Sequence, residues 1–308
     1  MALKLQTTVD VGKSPLRLDH SSRILLMGSC FSDSMADFMR QAGLEVLANP
    51  FGTLYNPLSI ATDMERSLAG GGVGEEDLVQ HDGLWHSFAH HGKFSSASKE
   101  ECVNACNEAF AQTRDFLRQP ATVIVTFGTS WVFEREGRVV ANCHKLPSSL
   151  FSRRMLDDGE IGNRWQPLVE RLVAMGHKVI MTVSPIRHLA DSAHGNQLSK
   201  ATLLLAIDRL SGVDYFPAYE IMLDELRDYR FYADDMLHPS PLAQTIIWQR
   251  FQERYMDDRT VELCLRFCQL SKMRSHRPLN TESKAYDDYL AKMRELESQL
   301  SKEIGRTI

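Results

Sequence analysis

A cysteine, an aspartate and a histidine stand in this sequence where acyl-transfer chemistry would need them. The apolar run Arg23-Ile24-Leu25-Leu26-Met27 stops at Gly28-Ser29-Cys30-Phe31-Ser32, and a helical pattern begins at once. The run reads as a buried parallel strand, and Met35, Phe38, Met39 and Ala42 then recur at helical spacing until Gly43 supplies a stop. Cys30 therefore falls on a strand-to-helix turn. Free backbone N–H groups and the positive end of the helix dipole favour an anion there, which is expected to lower the thiol pKa and to aim an oxyanion donor at the same spot. Far along the chain, Asp235-Met236-Leu237-His238 is followed by Pro239 and by a helix-like stretch from Leu242 to Phe251. A histidine held by a carboxylate is the general base that such a nucleophile requires, because the carboxylate fixes the imidazole tautomer and stabilises the imidazolium. Asp234 is the competing orienting acid.

The elements that must position these groups alternate between strand and helix. Asn56-Pro57 makes an N-cap and first-turn pair for a helix through Leu68, and a helical pattern from Val103 to Leu117 precedes the continuous apolar strand Ala121 to Phe127. A helix around Trp165 to Met175 leads through Gly176 into a strand from Lys178 to Val183. A helix from Gln197 to Leu210 and a short strand near Val213 to Phe216 follow. This alternation predicts a parallel sheet with helices on both faces, with ligands at the carboxyl ends of its strands. Cys30, Gly128 and Ser184 all come just after strand-like runs. A hairpin is expected from Trp131 to Glu134 and Arg138 to Ala141 about Glu136-Gly137. Ala69 to Gly74 is glycine-rich, but it follows a helix and lacks a phosphate-loop ending, so it reads as a flexible connection.

Gly28-Ser29-Cys30-Phe31 together with Asp235-x-x-His238 resembles the GSCFA family, a branch of the SGNH/GDSL hydrolase superfamily. The resemblance runs from about Leu16 to Phe251 and takes in Asn49 to Pro57, Phe127 to Trp131 and Ala141 to Lys145. It implies a flavodoxin-like α/β/α sandwich over residues 1–256, with a C-terminal helical extension over 257–308. It also implies that Cys30 stands in place of the superfamily's nucleophilic serine and Ser29 in place of its usual aspartate. Gly52 corresponds to the glycine whose N–H helps form the oxyanion hole. Gly128-Thr129-Ser130 lies where a Gly-x-Asn block would be, but without the asparagine, so Ser130 or Asn142 is the candidate third donor. The implied activity is ester hydrolysis through a thioester on Cys30, with a small ester or an acylated carbohydrate as substrate. Thioesters also react with amines and thiols, which leaves transfer to an acceptor other than water as an alternative. An inactive hydrolase fold used as a binding module and a redox-sensing cysteine protein are the readings from other classes.

Other residues have structural explanations to set beside functional ones. Cys102, Cys106, Cys264 and Cys268 lie four apart in pairs on helix-like segments and read as small buried hydrophobes. The stretch Trp85 to His91 holds His86, His90 and His91. It reads first as a surface loop, then as pocket lining, and last as a metal site, since no ligand set of zinc spacing accompanies it. Asn142 and His144 are candidates for substrate binding or for hydrogen bonding at the hairpin end. Arg187 could face a substrate anion or stand in solvent. Ser29, Asn56, Gly128 and Thr129 complete the candidate pocket.

Of the 308 residues 43% are hydrophobic and 24% charged, as in soluble globular proteins, and the net charge of −5 offers no electrostatic footprint for nucleic acid. The first residues hold no apolar segment of signal-peptide length and no stretch approaches a membrane span, so the expected address is the cytoplasm, with the six cysteines reduced. Neither a metal nor another cofactor is expected. After the polar stretch Ser271 to Thr281, Tyr286, Leu290, Met293, Leu296 and Leu300 form a narrow apolar stripe. It suits a helix packed on the core, or a homo-oligomer contact.

Overall fold

In the computed structural model, residues 6–280 and 283–308 are described; the first five residues of the chain and Thr281, the end of the polar stretch, lie outside them. Three apolar runs become the middle of one sheet: β1 (Arg23–Gly28), β5 (Thr122–Phe127) and β9 (Lys178–Val183). They are flanked by β2 (Glu45–Ala48) and β10 (Asp214–Phe216), in the order β2-β1-β5-β9-β10. All four pairings are parallel, with Arg23 opposite Glu45, Ile24 opposite Thr122, Thr122 opposite Lys178 and Asp214 opposite Ile180. The strand order reverses at β1, which is the flavodoxin-like arrangement with its switch point beside Cys30.

Alternation along each strand supplies two cores, one per face. Leu25, Met27, Val123, Val125, Val179 and Met181 point to one side, against α2 (Pro57–Leu68), α3 (Lys99–Phe116), α4 (Asp158–Ala174) and α5 (Ser192–Asp208). Trp165 is fully buried there and donates to the Pro57 carbonyl at 3.0 Å. Ile24, Leu26, Ile124 and Ile180 point to the other side, against α1 (Cys30–Gln41) and, later in the chain, the helices that follow His238. At roughly 1.5–3 kcal/mol for each large apolar side chain removed from water, these layers outweigh any single polar contact in holding the site.

Several elements depart from the sequence reading. β2 is short and only half-buried, so it lacks the continuous apolar signal of its neighbours. The histidine-dense stretch is no surface loop. It begins in the second strand of a hairpin, β3 (Leu78–His81) with β4 (Leu84–Ser87), and continues into the turn beyond it, with His86 and His90 buried. The expected hairpin is present as β6 (Trp131–Arg135) and β7 (Arg138–Val140), and β8 (Ser152–Met155) adds a third antiparallel strand to it. The glycine-rich connection is pinned rather than loose, because Asn107 accepts from the Val73 N–H at 2.8 Å and donates to its carbonyl at 3.0 Å.

After β10 the chain makes the short helix α6 (Ala218–Glu220), which runs into a π turn, Ile221–Glu225. Then come α7 (Pro241–Tyr255), α8 (Asp258–Ser275) and α9 (Lys284–Ile304). α8 takes up the first part of the stretch read as a polar linker. Part of the stripe on α9, Met293, Leu296 and Leu300, rests on α8 of the same chain, in a small core with Leu263, Phe267 and Leu270. No helix among the described residues is long and apolar enough to cross a membrane.

Candidate active site

The turn that carries Cys30 is fixed from several directions. Gly28 closes β1 at a φ of +135°, and a Cβ there would meet the Thr126 carbonyl at 2.1 Å, so only glycine lets the chain turn this close to β5. The buried Asn49 accepts from the Gly28 N–H at 2.9 Å and donates to the Ser29 carbonyl at 3.4 Å. Ser29 is the N-cap of α1, its hydroxyl accepting from the Phe31 N–H at 3.3 Å. Cys30 is thus the first residue of the helix, half-buried, with its thiol in a pocket of about 670 Å³.

Across that pocket, His238 Nε2 lies 3.7 Å from Cys30 Sγ, and His238 Nδ1 lies 2.5 Å from Asp235 Oδ2. With Nδ1–H donated to the carboxylate, Nε2 is left to accept the thiol proton. Asp235 Oδ1 also accepts from the backbone N–H groups of Leu237 and His238, at 2.9 and 3.0 Å. These backbone bonds, His238's first, and then the imidazole hold its carboxyl down to about 2. Asp234 makes no such contact with the imidazole.

The thiol departs from its expected direction. Burial pushes the Cys30 pKa up, because loss of water around the sulfur outweighs the amides of Cys30 and Phe31 that favour the thiolate. Asp33 adds to the rise and Lys200 opposes it. The helix terminus is present, but its effect is smaller than that of desolvation.

The remaining candidates divide into those that reach the pocket and those that do not. Ser29, Asn56, Gly128, Thr129 and Asn142 line it. Asn56 is occupied as the N-cap of α2, accepting from Ser59 N–H at 2.8 Å and donating to the Ser59 hydroxyl at 2.9 Å. Asn142 accepts from His144 N–H at 2.8 Å, leaving its amide NH₂ to donate. Gly52 does not line the pocket, and its N–H is given to the Asn49 carbonyl at 2.8 Å; its neighbour Thr53 lines the pocket instead. Ser130 is fully buried away from the pocket.

His86 and His144 stack at 4.6 Å behind the hairpin end. His86 meets Ser95 and the His81 carbonyl, and His144 meets the Ser87 carbonyl at 2.7 Å. Burial brings His144 down to about 4, so it is a neutral structural imidazole. It is His91, not His86, that lines the pocket. Arg187 is half-exposed and does not line the pocket: its guanidinium donates to the Met236 carbonyl and lies 4.4 Å over the Tyr232 ring, and its backbone N–H meets the Leu237 carbonyl at 3.2 Å. It ties down the loop that carries Asp235 and His238.

The sequence reading did not single out Asn49, whose role needs a tertiary partner, or the second Asp–His pair of the pocket. In that pair, His188 Nδ1 lies 3.2 Å from Asp191, which also pairs with Arg153. Trp131, Phe133, Leu146 and Phe151 form an apolar wall. Among the described residues no group of three or more His, Cys, Asp or Glu side chains is arranged to hold a metal.

The sequence model of the GSCFA family matches residues 23–251. No curated protein matches the chain. Solved structures similar to it include a Bacteroides fragilis protein assigned as an acylhydrolase, at 10% identity and a TM-score of 0.38 over 78% of this chain and 88% of that one. Another is the psychrotrophic esterase EstA from Pseudoalteromonas sp., at 11% identity and a TM-score of 0.34 over 79% of this chain and 98% of that one.

Proposed function

This chain belongs to the GSCFA family, and on that premise we propose that it is an SGNH/GDSL-type acyl hydrolase using a Cys30–His238–Asp235 triad. The observation that carries the reading is the line from Cys30 Sγ to His238 Nε2 at 3.7 Å and from His238 Nδ1 to Asp235 Oδ2 at 2.5 Å. The raised thiol pKa favours general-base attack over a preformed thiolate. His238 takes the Cys30 proton as sulfur bonds to the ester carbonyl carbon. The carbon–alkoxide bond then breaks, and the imidazolium returns the proton to the leaving alcohol. Water, deprotonated by the same imidazole, attacks the thioester and releases the acid and the Cys30 sulfur, which recovers the proton.

The N–H of Cys30, the Asn142 amide and the Thr53 segment are the groups left to meet the oxyanion, with Gly52 and Ser130 set aside for the reasons above. The apolar wall suits the acyl part of a small ester, and an acylated carbohydrate remains a candidate substrate. Intact-mass spectrometry after exposure to p-nitrophenyl esters tests the reading. The protein should gain one acyl group, Cys30→Ala should gain none and lose ester turnover, and Cys102→Ala should behave as the unsubstituted protein. Unchanged turnover in Cys30→Ala would reject it.

A further inference from the structure

Lys200 is fully buried in α5, and lysine is rarely so unless paired with an opposite charge. Its partners here are neutral. The ammonium donates to the Gly128 carbonyl at 2.7 Å and to the Ser184 carbonyl at 2.8 Å, with the Tyr219 ring 5.7 Å away. Gly128 follows β5 and Ser184 follows β9, so the lysine bridges two strand ends at the edge of the sheet where Cys30 follows β1. Both carbonyl-bearing residues line the Cys30 pocket.

We propose that Lys200 is a positioning residue of the site, a buried ammonium clamped on two strand-end carbonyls that places positive potential behind Cys30 and favours the thiolate and oxyanion formed there. The inference rests on the acyl-transfer reading for its use, though not for its measurement. Two carbonyls orient the ammonium but leave its charge uncompensated, and the missing counter-ion is the negative charge that develops when Cys30 loses its proton. The position where the resemblance expects an asparagine donor holds Ser130, turned away from the pocket, so the site lacks one source of positive potential that a charge at Lys200 would restore.

The groups around the pair can be named. Cys30 is faced by Asp33, which raises its pKa, by His238 and by Tyr55, with His91 also on the pocket wall. Lys200 is faced by Tyr219 and by His188, whose own partner Asp191 is shared with Arg153. Burial lowers the Lys200 pKa to about 7, and Cys30 works in the opposite direction. The ammonium is therefore kept at and below about pH 7, and it is there that it favours the negative charge developing at Cys30 as His238 takes the thiol proton.

Iodoacetamide labelling of Cys30 against pH, followed by peptide mass spectrometry, tests this on the full chain. Lys200→Gln can still donate to carbonyls but has no charge, and its Cys30 labelling should be several-fold slower at about pH 6–7, where the ammonium is kept, with the two profiles converging at higher pH. Lys200→Arg should restore much of the rate. Superimposable profiles for Lys200→Gln and the unsubstituted protein would overturn the proposal. Should the variants not fold, the ¹³Cε resonance of Lys200 can be titrated in the unsubstituted protein and in Cys30→Asp. The midpoint should be higher in Cys30→Asp, whose carboxylate is charged while Lys200 titrates, since coupling is reciprocal, and equal midpoints would also overturn it. A labelling shift in a protein without ester turnover would reject the acyl-transfer reading and keep this one; turnover without the shift would do the reverse.

Discussion

The two halves of the proposed triad are built in opposite ways. Cys30 sits on a turn enclosed by the sheet, with Gly28 against β5, Asn49 and Ser29 buried, and α1 capped directly beneath it. Asp235 and His238 stand on an outer loop, where the side chains of His238 and Asp235 are 47% and 46% exposed. That loop is held by a few bonds: Ala233 N–H to the His238 carbonyl at 2.8 Å, Ser240 N–H to the Phe231 carbonyl at 2.8 Å, and the Arg187 contacts. The difference separates two kinds of dependence. Damage on the nucleophile side should be felt in folding and chemistry together, whereas damage on the base side should be felt in chemistry alone.

The base side offers the largest effect. His238→Ala or Asp235→Asn should lower ester turnover by about 10³- to 10⁴-fold, because a base that is absent or in the wrong tautomer cannot take the thiol proton. The thermal melting midpoint should barely change, as for other exposed positions. Asp234→Asn is the control and should leave turnover intact; a larger loss there than in Asp235→Asn would reassign the orienting acid. The pH dependence follows from two opposite shifts. The Asp235 carboxyl is depressed, so its hold on His238 is present above the ordinary carboxylate range and is lost only as pH falls through about 2. The Cys30 thiol is raised, so its labelling should have a midpoint above the ordinary thiol value of about 8.5. A midpoint below that value would show that the helix terminus outweighs desolvation after all.

Asn49→Ala sharpens the comparison from the other side. It leaves the Gly28 N–H and the Ser29 carbonyl without their partner in a buried place, which costs about 1–3 kcal/mol of stability. The same turn aims Cys30, so turnover should fall by about 10²-fold as well. Denaturant unfolding and ester kinetics on one preparation would check both parts. Normal stability with lost turnover would erase the contrast drawn above.

The same contrast explains what could be read from the sequence. β1, β5 and β9 are buried on both faces and show as continuous apolar runs, and the Cys30 turn and the Asp235-x-x-His238 pair are local motifs that a linear chain displays. β2 is half-buried and four residues long, and β8 is Ser152-Arg153-Arg154-Met155; neither pattern separates a strand from a loop. Asn49 and Lys200 escaped because their functions are defined by carbonyls and amides far along the chain. Gly52 was placed by its block, and only the turn geometry reveals that its N–H is already given to Asn49.

Arg187→Met is a smaller perturbation and isolates the loop. Losing the guanidinium contacts to the Met236 carbonyl and the Tyr232 ring frees the segment that carries the base without touching the nucleophile turn. Turnover should fall by roughly tenfold, while the pH profile of Cys30 labelling stays where it was. A shifted labelling profile would mean that the loop also shapes the thiol's surroundings.

Removal of α9 should have the smallest effect on the chemistry. The Arg306 guanidinium, just past the end of that helix, donates to the Gly43 carbonyl at 2.9 Å, and Phe267 of α8 packs against the same glycine. Gly43 lies beyond the C-terminal end of α1, whereas Cys30 begins it, and a helix of 12 residues separates its ends by about 18 Å. The tail therefore braces the end of α1 remote from the pocket. Its loss uncovers Leu263, Phe267 and Leu270, and the fully buried Leu300 alone contributes about 1.5–3 kcal/mol to that contact. A chain ending before Ser283 should melt earlier and associate more readily in sedimentation, yet label at Cys30 at an unchanged rate. Loss of labelling in a truncated chain that keeps its circular dichroism spectrum would instead show that events at the far end of α1 reach its first residue.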